Sequence, residues 1–200
     1  SDKLKTEIMP EATSVLDGAS VQGEMTAISL TKEILTGLKS KYEILEEMNI
    51  PAGGEADLYF CRETEKSEAP VLVAKIYRKN NIIREDEREK LLTFLQSIDM
   101  ETVNIVPIID HGTIMGRLFD IYPFFEEGDL RKKGKFTYKE LLNNVIPSMN
   151  ETLKYVHDAG LIHRDIKPAN FFSYKDRVLL SDFGIASTKQ FTEIGRGMKL

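Results

Sequence analysis

The chain has a single cysteine, Cys61, which excludes an internal disulfide framework and cannot by itself build a zinc site. Cys61 reads as a small apolar side chain in a strand, and a reducing, cytoplasmic compartment is the economical expectation. Excess positive charge is lacking too: 27 Lys and Arg stand against 32 Asp and Glu, for a net charge of −5. No cationic surplus therefore faces a phosphate backbone, and nucleic acid is not an expected partner. No run approaches the roughly 18 apolar residues of a membrane span, and the N-terminus lacks a signal peptide's apolar centre. The expectation is a cytoplasmic protein, or a cytoplasmic domain of a longer one with no membrane segment in this chain. No Gly-Lys-Ser/Thr follows the glycines, which removes the P-loop enzymes. Internal repeats and low-complexity tracts are absent.

What is present is enough apolar residue, 42%, for one substantial core or for two small lobes sharing a cleft. Residues 1–27 have no sustained period and read as a leader or loosely docked arm. Residues 30–40 could form a short helix with Ile34, Leu35 and Leu38 on one side, weakened by Gly37. The period then changes. Tyr42–Met48 and Ala56–Cys61 flank a glycine pair as a hairpin, and VLVAKIY at Val71–Tyr77 is a third strand. Residues 83–98 read as a helix that opens charged and continues with Leu91, Leu92, Leu95 and Ile98 at helical spacing. IVPIIDHGTI and RLFDIYPFF supply two more strands. Thr137, with Glu140 three positions on, is a capping-box pattern for a helix carrying Leu142, Val145, Met149, Leu153 and Val156 as its buried stripe. Pro147 should bend that helix, and Gly160 should end it. Two short strands, FFSY and VLLS, precede Asp182.

The expected fold class is α+β: a small mainly-β unit joined to a helical unit, with a cleft between them as the ligand site. The chemistry points to the same place. In HRDIKPAN, at His163–Asn170, Asp165 and Asn170 lie five residues apart, and Pro168 prevents a regular helix between them. Asp182, with Phe183 and Gly184, follows an apolar strand. Lys75 stands inside VLVAKIY, where a lysine requires a partner or ligand unless it snorkels from an edge strand. A nucleoside triphosphate carrying a divalent metal needs oxygen ligands, which Asn170 and Asp182 can supply. A hydroxyl nucleophile needs a carboxylate to orient it and accept its proton late, which suits Asp165. His163 reads as holding this loop by packing and a backbone contact. His111 and His157 read as ordinary loop and helix-end residues.

VAK at Val73–Lys75, HRDIKPAN at His163–Asn170 and DFG at Asp182–Gly184 occur in an order and at separations that resemble the eukaryotic-type serine/threonine protein kinases, bacterial members included. The resemblance covers Tyr42 to Leu200. It implies a two-lobed kinase-like fold: an extension at 1–41, an N-lobe at 42–122, a hinge at 123–130 and part of a helical C-lobe at 131–200. It implies transfer of the γ-phosphate of ATP, with Mg2+ (Mn2+ as the alternative ion), to a Ser or Thr hydroxyl of a protein substrate. Asp165 would be the catalytic carboxylate, and Lys167 would contact the transferred phosphate. Lys75 would hold the phosphates, itself held by Glu87, with Glu89 as the rival; Asn170 and Asp182 would be the metal ligands.

For the nucleotide, the resemblance implies a glycine loop at Gly53, Gly54 and Ala56. Pro51 stands at its first glycine position and Leu58 at its valine position. Tyr122 takes the gatekeeper position and Pro123 to Phe125 face adenine, with Asp129 towards the ribose; an apolar edge strand with an acidic cap is the plainer alternative. Ala74, Leu58 and Phe172 would sandwich the ring. Ser187, Thr188 and Thr192 are activation-segment hydroxyls. No Ala-Pro-Glu follows them, so a truncated chain is expected, with a missing C-lobe portion or a partner needed to cover exposed apolar surface. The alternatives are a nucleotide-binding pseudokinase or regulatory scaffold, and a small-molecule kinase of related fold.

Overall fold

Alternation along residues 72–76 sets the architecture. Leu72, Ala74 and Ile76 are buried on one face, and Val73 and Lys75 are half-buried on the other. The computed structural model describes residues 32–48, 56–66, 68–78, 85–184 and 186–188. The leader, Pro51 and the glycine pair Gly53–Gly54 lie outside these.

Six strands form one antiparallel sheet in the order β1-β2-β3-β4-β6-β5. They are β1 (Ile34–Thr36), β2 (Lys41–Glu47), β3 (Ala56–Glu63), β4 (Leu72–Tyr77), β5 (Asp110–Ile114) and β6 (Arg117–Pro123). Helix α1 (Glu85–Gln96) follows β4. Its first turn holds Glu85, Asp86 and Glu87, which suits the positive end of the helix dipole. Tyr42, Ile44, Tyr59, Cys61, Ala74, Ile76, Phe119 and Ile121 fill the concave face of the sheet with Leu35. β5 turns into β6 through Met115 and Gly116, both at positive φ (48° and 71°), the geometry of a two-residue type I′ hairpin.

The helix expected over 30–40 is instead strand β1, paired with β2 from Ile34↔Glu43 to Thr36↔Lys41. Only Leu35 turns inward; Ile34 and Leu38 are exposed. The deciding group is Asp110, fully buried and 70 or so residues away in sequence. Its carboxylate accepts from the backbone N–H groups of Leu38, Lys39, Ser40 and His111 and from the Tyr42 hydroxyl, at 2.8–3.1 Å. A Cβ on Gly37 would sit 2.2 Å from its Oδ2, so glycine is required there by space.

The second core gathers Leu91, Leu92 and Leu95 of α1 with Val145, Val156, Leu161, Phe171, Leu180 and Phe183. Asp129 caps α2 (Leu130–Lys133) by accepting from Arg131 N–H. Thr137 and Glu140 form the expected reciprocal capping box at α3 (Tyr138–Glu140). Where a proline bend was expected, Leu141–Val145 is a π-helical turn, the Ile146 N–H bonding to the Leu141 carbonyl. Pro147 cannot donate to the preceding turn, and the helix widens just ahead of it before continuing as α4 (Ile146–Asp158). The extra residue shifts the phase of the buried stripe: Val145, Ser148, Thr152 and Val156 turn inward. Met149 and Leu153 pack at the margin of the core. Leu142, expected inside, is exposed together with Tyr138, Ile146 and Tyr155. Gly160, at φ 77°, ends the helix as expected.

The chain then forms β7 (Leu161–Ile162), a 3-10 turn at Pro168–Asn170, the hairpin β8 (Phe171–Tyr174) with β9 (Arg177–Leu180), and β10 (Ser187–Thr188) paired with β7. Ser187 and Thr188 therefore lie on a paired strand, not in an open loop; Thr192 lies outside the described residues. Among the described residues no helix is long and apolar enough to cross a membrane.

Candidate active site

Asp165 lies on the irregular segment between β7 and the 3-10 turn. Its Oδ2 accepts from Lys167 Nζ at 2.7 Å and from Asn170 Nδ2 at 2.9 Å. Asn170 Nδ2 also donates to the Asp165 carbonyl at 2.8 Å. Both donor bonds of this buried amide thus go to Asp165, and its Oδ1 is the atom it can offer a cation. The Lys167 ammonium, opposed by slight burial and aided by Asn170, holds the Asp165 carboxyl below the usual range.

His163 is nearly inaccessible and braces the segment, as its sequence context implied. Its Nδ1 accepts from the Asp165 N–H at 3.2 Å, so Nε2 carries the proton and donates to the Ser181 carbonyl at 2.8 Å. Burial pushes its pKa down, against the Ser181 carbonyl and the nearby carboxylates. Its ring meets Phe183 edge to face at 4.6 Å. Phe183 is in turn buried with Leu91 and Leu95 of α1. Ser181 donates through N–H and hydroxyl to the Asn170 carbonyl, locking the two motif segments together.

Asp182 has a left-handed φ of 58°, and Arg164, just before Asp165, has one of 69°. Such conformations are costly for non-glycine residues and persist where the surroundings enforce them. Asp182 Oδ1 meets Lys75 Nζ at 2.6 Å and the Gly184 N–H at 3.3 Å. Burial pushes the Asp182 carboxyl up, but the Lys75 charge and these bonds outweigh it and hold it low.

Among the described residues the expected pairing of Lys75 with Glu87 is not made; the lysine pairs with Asp182 instead. Glu87 is half-buried, and among the described residues its Oε1 is a buried side-chain oxygen without a hydrogen-bond partner. Glu89, the rival, is exposed.

The strand registers place the expected nucleotide residues. Leu58↔Lys75, Phe60↔Val73, Val73↔Tyr122 and Lys75↔Asp120 are cross-strand pairs, so these side chains share one face. Ala74, expected against adenine, belongs to the opposite face and is wholly buried in the sheet core. Its period-2 position forbids the assignment, and Val73 is the residue beside Leu58 and Lys75. Ala56 is on the Lys75 face as well, at the start of β3. Pro123 ends β6 opposite Leu72. Phe125 is buried, its ring 5.4 Å from that of Phe172. Phe172 bridges to Asp129. The Asp129 carboxylate is taken by Arg131, at 2.7 Å, in addition to its cap bond.

A cluster that the sequence reading passed over joins α1 to this face. Arg88 Nη2 meets Asp120 Oδ1 at 2.6 Å, and the Tyr77 hydroxyl meets Asp120 Oδ2 at 2.7 Å. The signals were legible: Arg88 precedes Leu91, Leu92 and Leu95 at i+3, i+4 and i+7, and Asp120 interrupts an apolar strand.

A sheet lobe with its long helix, a helical lobe behind it, and Lys75–Asp182 and Asp165–Asn170 converging between them define a two-lobed, kinase-like fold. The chain belongs to the protein kinase domain family, whose sequence model matches residues 45–193. It is 35% identical over 152 residues to serine/threonine-protein kinase PknJ of Mycobacterium tuberculosis (strain ATCC 25618 / H37Rv), covering 70% of this chain and 25% of that protein. With serine/threonine-protein kinase Nek5 of Homo sapiens it is 28% identical over 153 residues, covering 73% of this chain and 21% of that one. The chain thus spans a quarter or less of these relatives' lengths. The crystal structure of the BubR1 kinase domain is similar at a TM-score of 0.62 and 18% identity, over 80% of this chain and 51% of that chain. At that identity the likeness is one of fold.

Proposed function

We propose that the full-length protein transfers the γ-phosphate of ATP to a serine or threonine hydroxyl of a protein substrate, and that this chain holds the nucleotide and the catalytic carboxylate. The observation that carries the reading is Asp165 fixed between Asn170 and Lys167 at 2.7–2.9 Å, beside the Asp182–Lys75 pair. Asp165, held ionised, orients the incoming hydroxyl. It takes the proton as the new O–P bond forms and the bond to the departing diphosphate breaks. Lys167 lies where it can meet the transferred phosphate.

The donor set fits a divalent cation. Asn170 offers an amide oxygen and Asp182 a carboxylate. Among the described residues no group of three or more ligands makes a cage, which suits Mg2+ completed by phosphate oxygens and water. Bound there, the cation would neutralise phosphate charge. Lys75, were Asp182 to turn to the cation, would be free for the phosphates, and Glu87 on α1, whose Oε1 has no hydrogen-bond partner among the described residues, is the acid that would hold it. Leu58 and Val73 from above and Phe172 from below form the apolar slot for adenine. Tyr122 would lie at its back, with Pro123 and Phe125 along its edge and Ala56 at the start of β3 on the same face as Lys75; the expected glycines Gly53 and Gly54 lie outside the described residues. Asp129 would reach the ribose only by leaving Arg131.

A nucleotide-binding scaffold without transfer is favoured by one observation: Lys75 and Asp182 satisfy each other at 2.6 Å. Calorimetric titration tests the step that the two readings share. Mg·ATP should bind the wild type and bind Asp182→Asn about tenfold or more weakly, with little difference between the two in EDTA. Equal Mg2+-dependent affinity in both proteins would contradict the assignment of Asp182.

A further inference from the structure

Asp120 presents a problem for a lysine that must serve phosphates. It lies directly across from Lys75 in the β4–β6 ladder, on the same face, and its side chain is almost wholly buried. A buried carboxylate at that position is the natural partner of the lysine ammonium, and a lysine so captured is lost to any ligand. His111 stands across from Asp120 on β5, but burial pushes its pKa down, so it brings little charge. Lys75 nevertheless reaches Asp182. Arg88 of α1 makes the difference. Its guanidinium takes Asp120 Oδ1 at 2.6 Å, while the Tyr77 hydroxyl takes Oδ2 at 2.7 Å and the Tyr122 hydroxyl lies 3.4 Å from the same oxygen. The Tyr77 ring lies 5.2 Å from Lys75 Nζ and 5.5 Å from Arg88 Cζ, next to both cations.

We infer that Arg88 is a positioning residue: it occupies Asp120 so that this carboxylate cannot capture Lys75, and in doing so it fastens α1 to the strand bearing the gatekeeper Tyr122. The value of a free Lys75 rests on the phosphate-binding role proposed above; the competition between Arg88 and Lys75 for Asp120 does not. Removing Arg88 alone leaves Asp120 buried and uncompensated, and Lys75 is the nearest cation along the ladder. Removing both charges abolishes the competition, and a hydrophobic pair of similar volume is well tolerated at such positions.

The test is the rate at which an amine-reactive acylating reagent modifies Lys75 in the full-length protein, read by peptide mass spectrometry against the exposed Lys66 and Lys154 as internal standards. Arg88→Met should slow Lys75 modification by about tenfold, because the buried Asp120 carboxylate then draws Nζ inward, out of the reagent's reach. Arg88→Met/Asp120→Leu should return it to within about twofold of wild type. Tyr77→Phe, which removes the shortest bond to Oδ2 and keeps the ring, should slow it in the same direction by less and keeps the test decisive if Arg88→Met fails to fold. Unchanged labelling in Arg88→Met or, where that variant does not fold, in Tyr77→Phe would overturn the inference. So would a double variant as slow as the single one. Mg·ATP affinity measured on the same proteins should fall and recover in parallel. A wild type that binds no Mg·ATP while the labelling pattern holds would overturn the kinase reading and support the inference.

Discussion

His163 carries little chemistry of its own, yet it has the most direct measurable consequence among the site's single residues. Burial depresses its pKa, so the folded state resists protonating it while the unfolded chain, with an ordinary value near about 6.5, does not. A depressed histidine contributes stability that is fully present above the unfolded value and is lost as pH falls below it. The melting temperature should therefore drop as the pH falls below about 6.5. His163→Asn should lower the melting temperature at pH 7.5 but flatten that slope, leaving the share due to His111, which burial also depresses. An equally steep slope in the variant would contradict this. Cys61 offers a second check. Burial pushes its thiol up to about 12, so maleimide should modify it only as the protein unfolds. At this scale the contact of Asp165 with Asn170 could be anticipated from their five-residue spacing in one irregular segment. Ala74 was misassigned by one residue, and in a strand one residue is the other face.

Among the elements, β1 shows where local pattern fails. Leu30 to Ser40 has helical spacing on paper, but its fate is decided by Asp110, whose carboxylate gathers three consecutive N–H groups of the 38–40 turn from across the sheet. No local signal reveals a partner 70 residues on. Gly37→Ala should destabilise the protein by about 1–3 kcal/mol through overpacking against a carboxylate that its own bonds hold still. Asp110→Ala should cost at least about 2 kcal/mol, since several donors lose their acceptor together. Urea denaturation measures both, and a change below about 0.5 kcal/mol in either would refute the clasp. The helix at 138–158 was legible in extent and in its cap. Its inward face was not, because the π turn ahead of Pro147 displaces the phase and leaves Leu142 in solvent.

Across the whole molecule, α1 joins the sheet to the helical lobe. The helix gives Leu91, Leu92 and Leu95 to the helical lobe's core and Arg88 to the sheet through Asp120. Phe183 and His163 carry this packing to the Asp165 segment, so Lys75 and Asp165 are placed by one continuous set of contacts. The two-lobed architecture could be read from the change of hydrophobic period and the order of the motifs. The pairing of Lys75 with Asp182 could not, because it depends on which of several acids reaches the lysine in three dimensions. The most direct measurement is transfer of radiolabelled γ-phosphate from Mg·ATP to a protein substrate by the full-length protein, with Asp165→Asn alongside. The wild type should transfer phosphate to serine or threonine, and Asp165→Asn should lose that transfer by at least about a hundredfold while still binding Mg·ATP. Equal turnover by the two proteins would contradict the role assigned to Asp165.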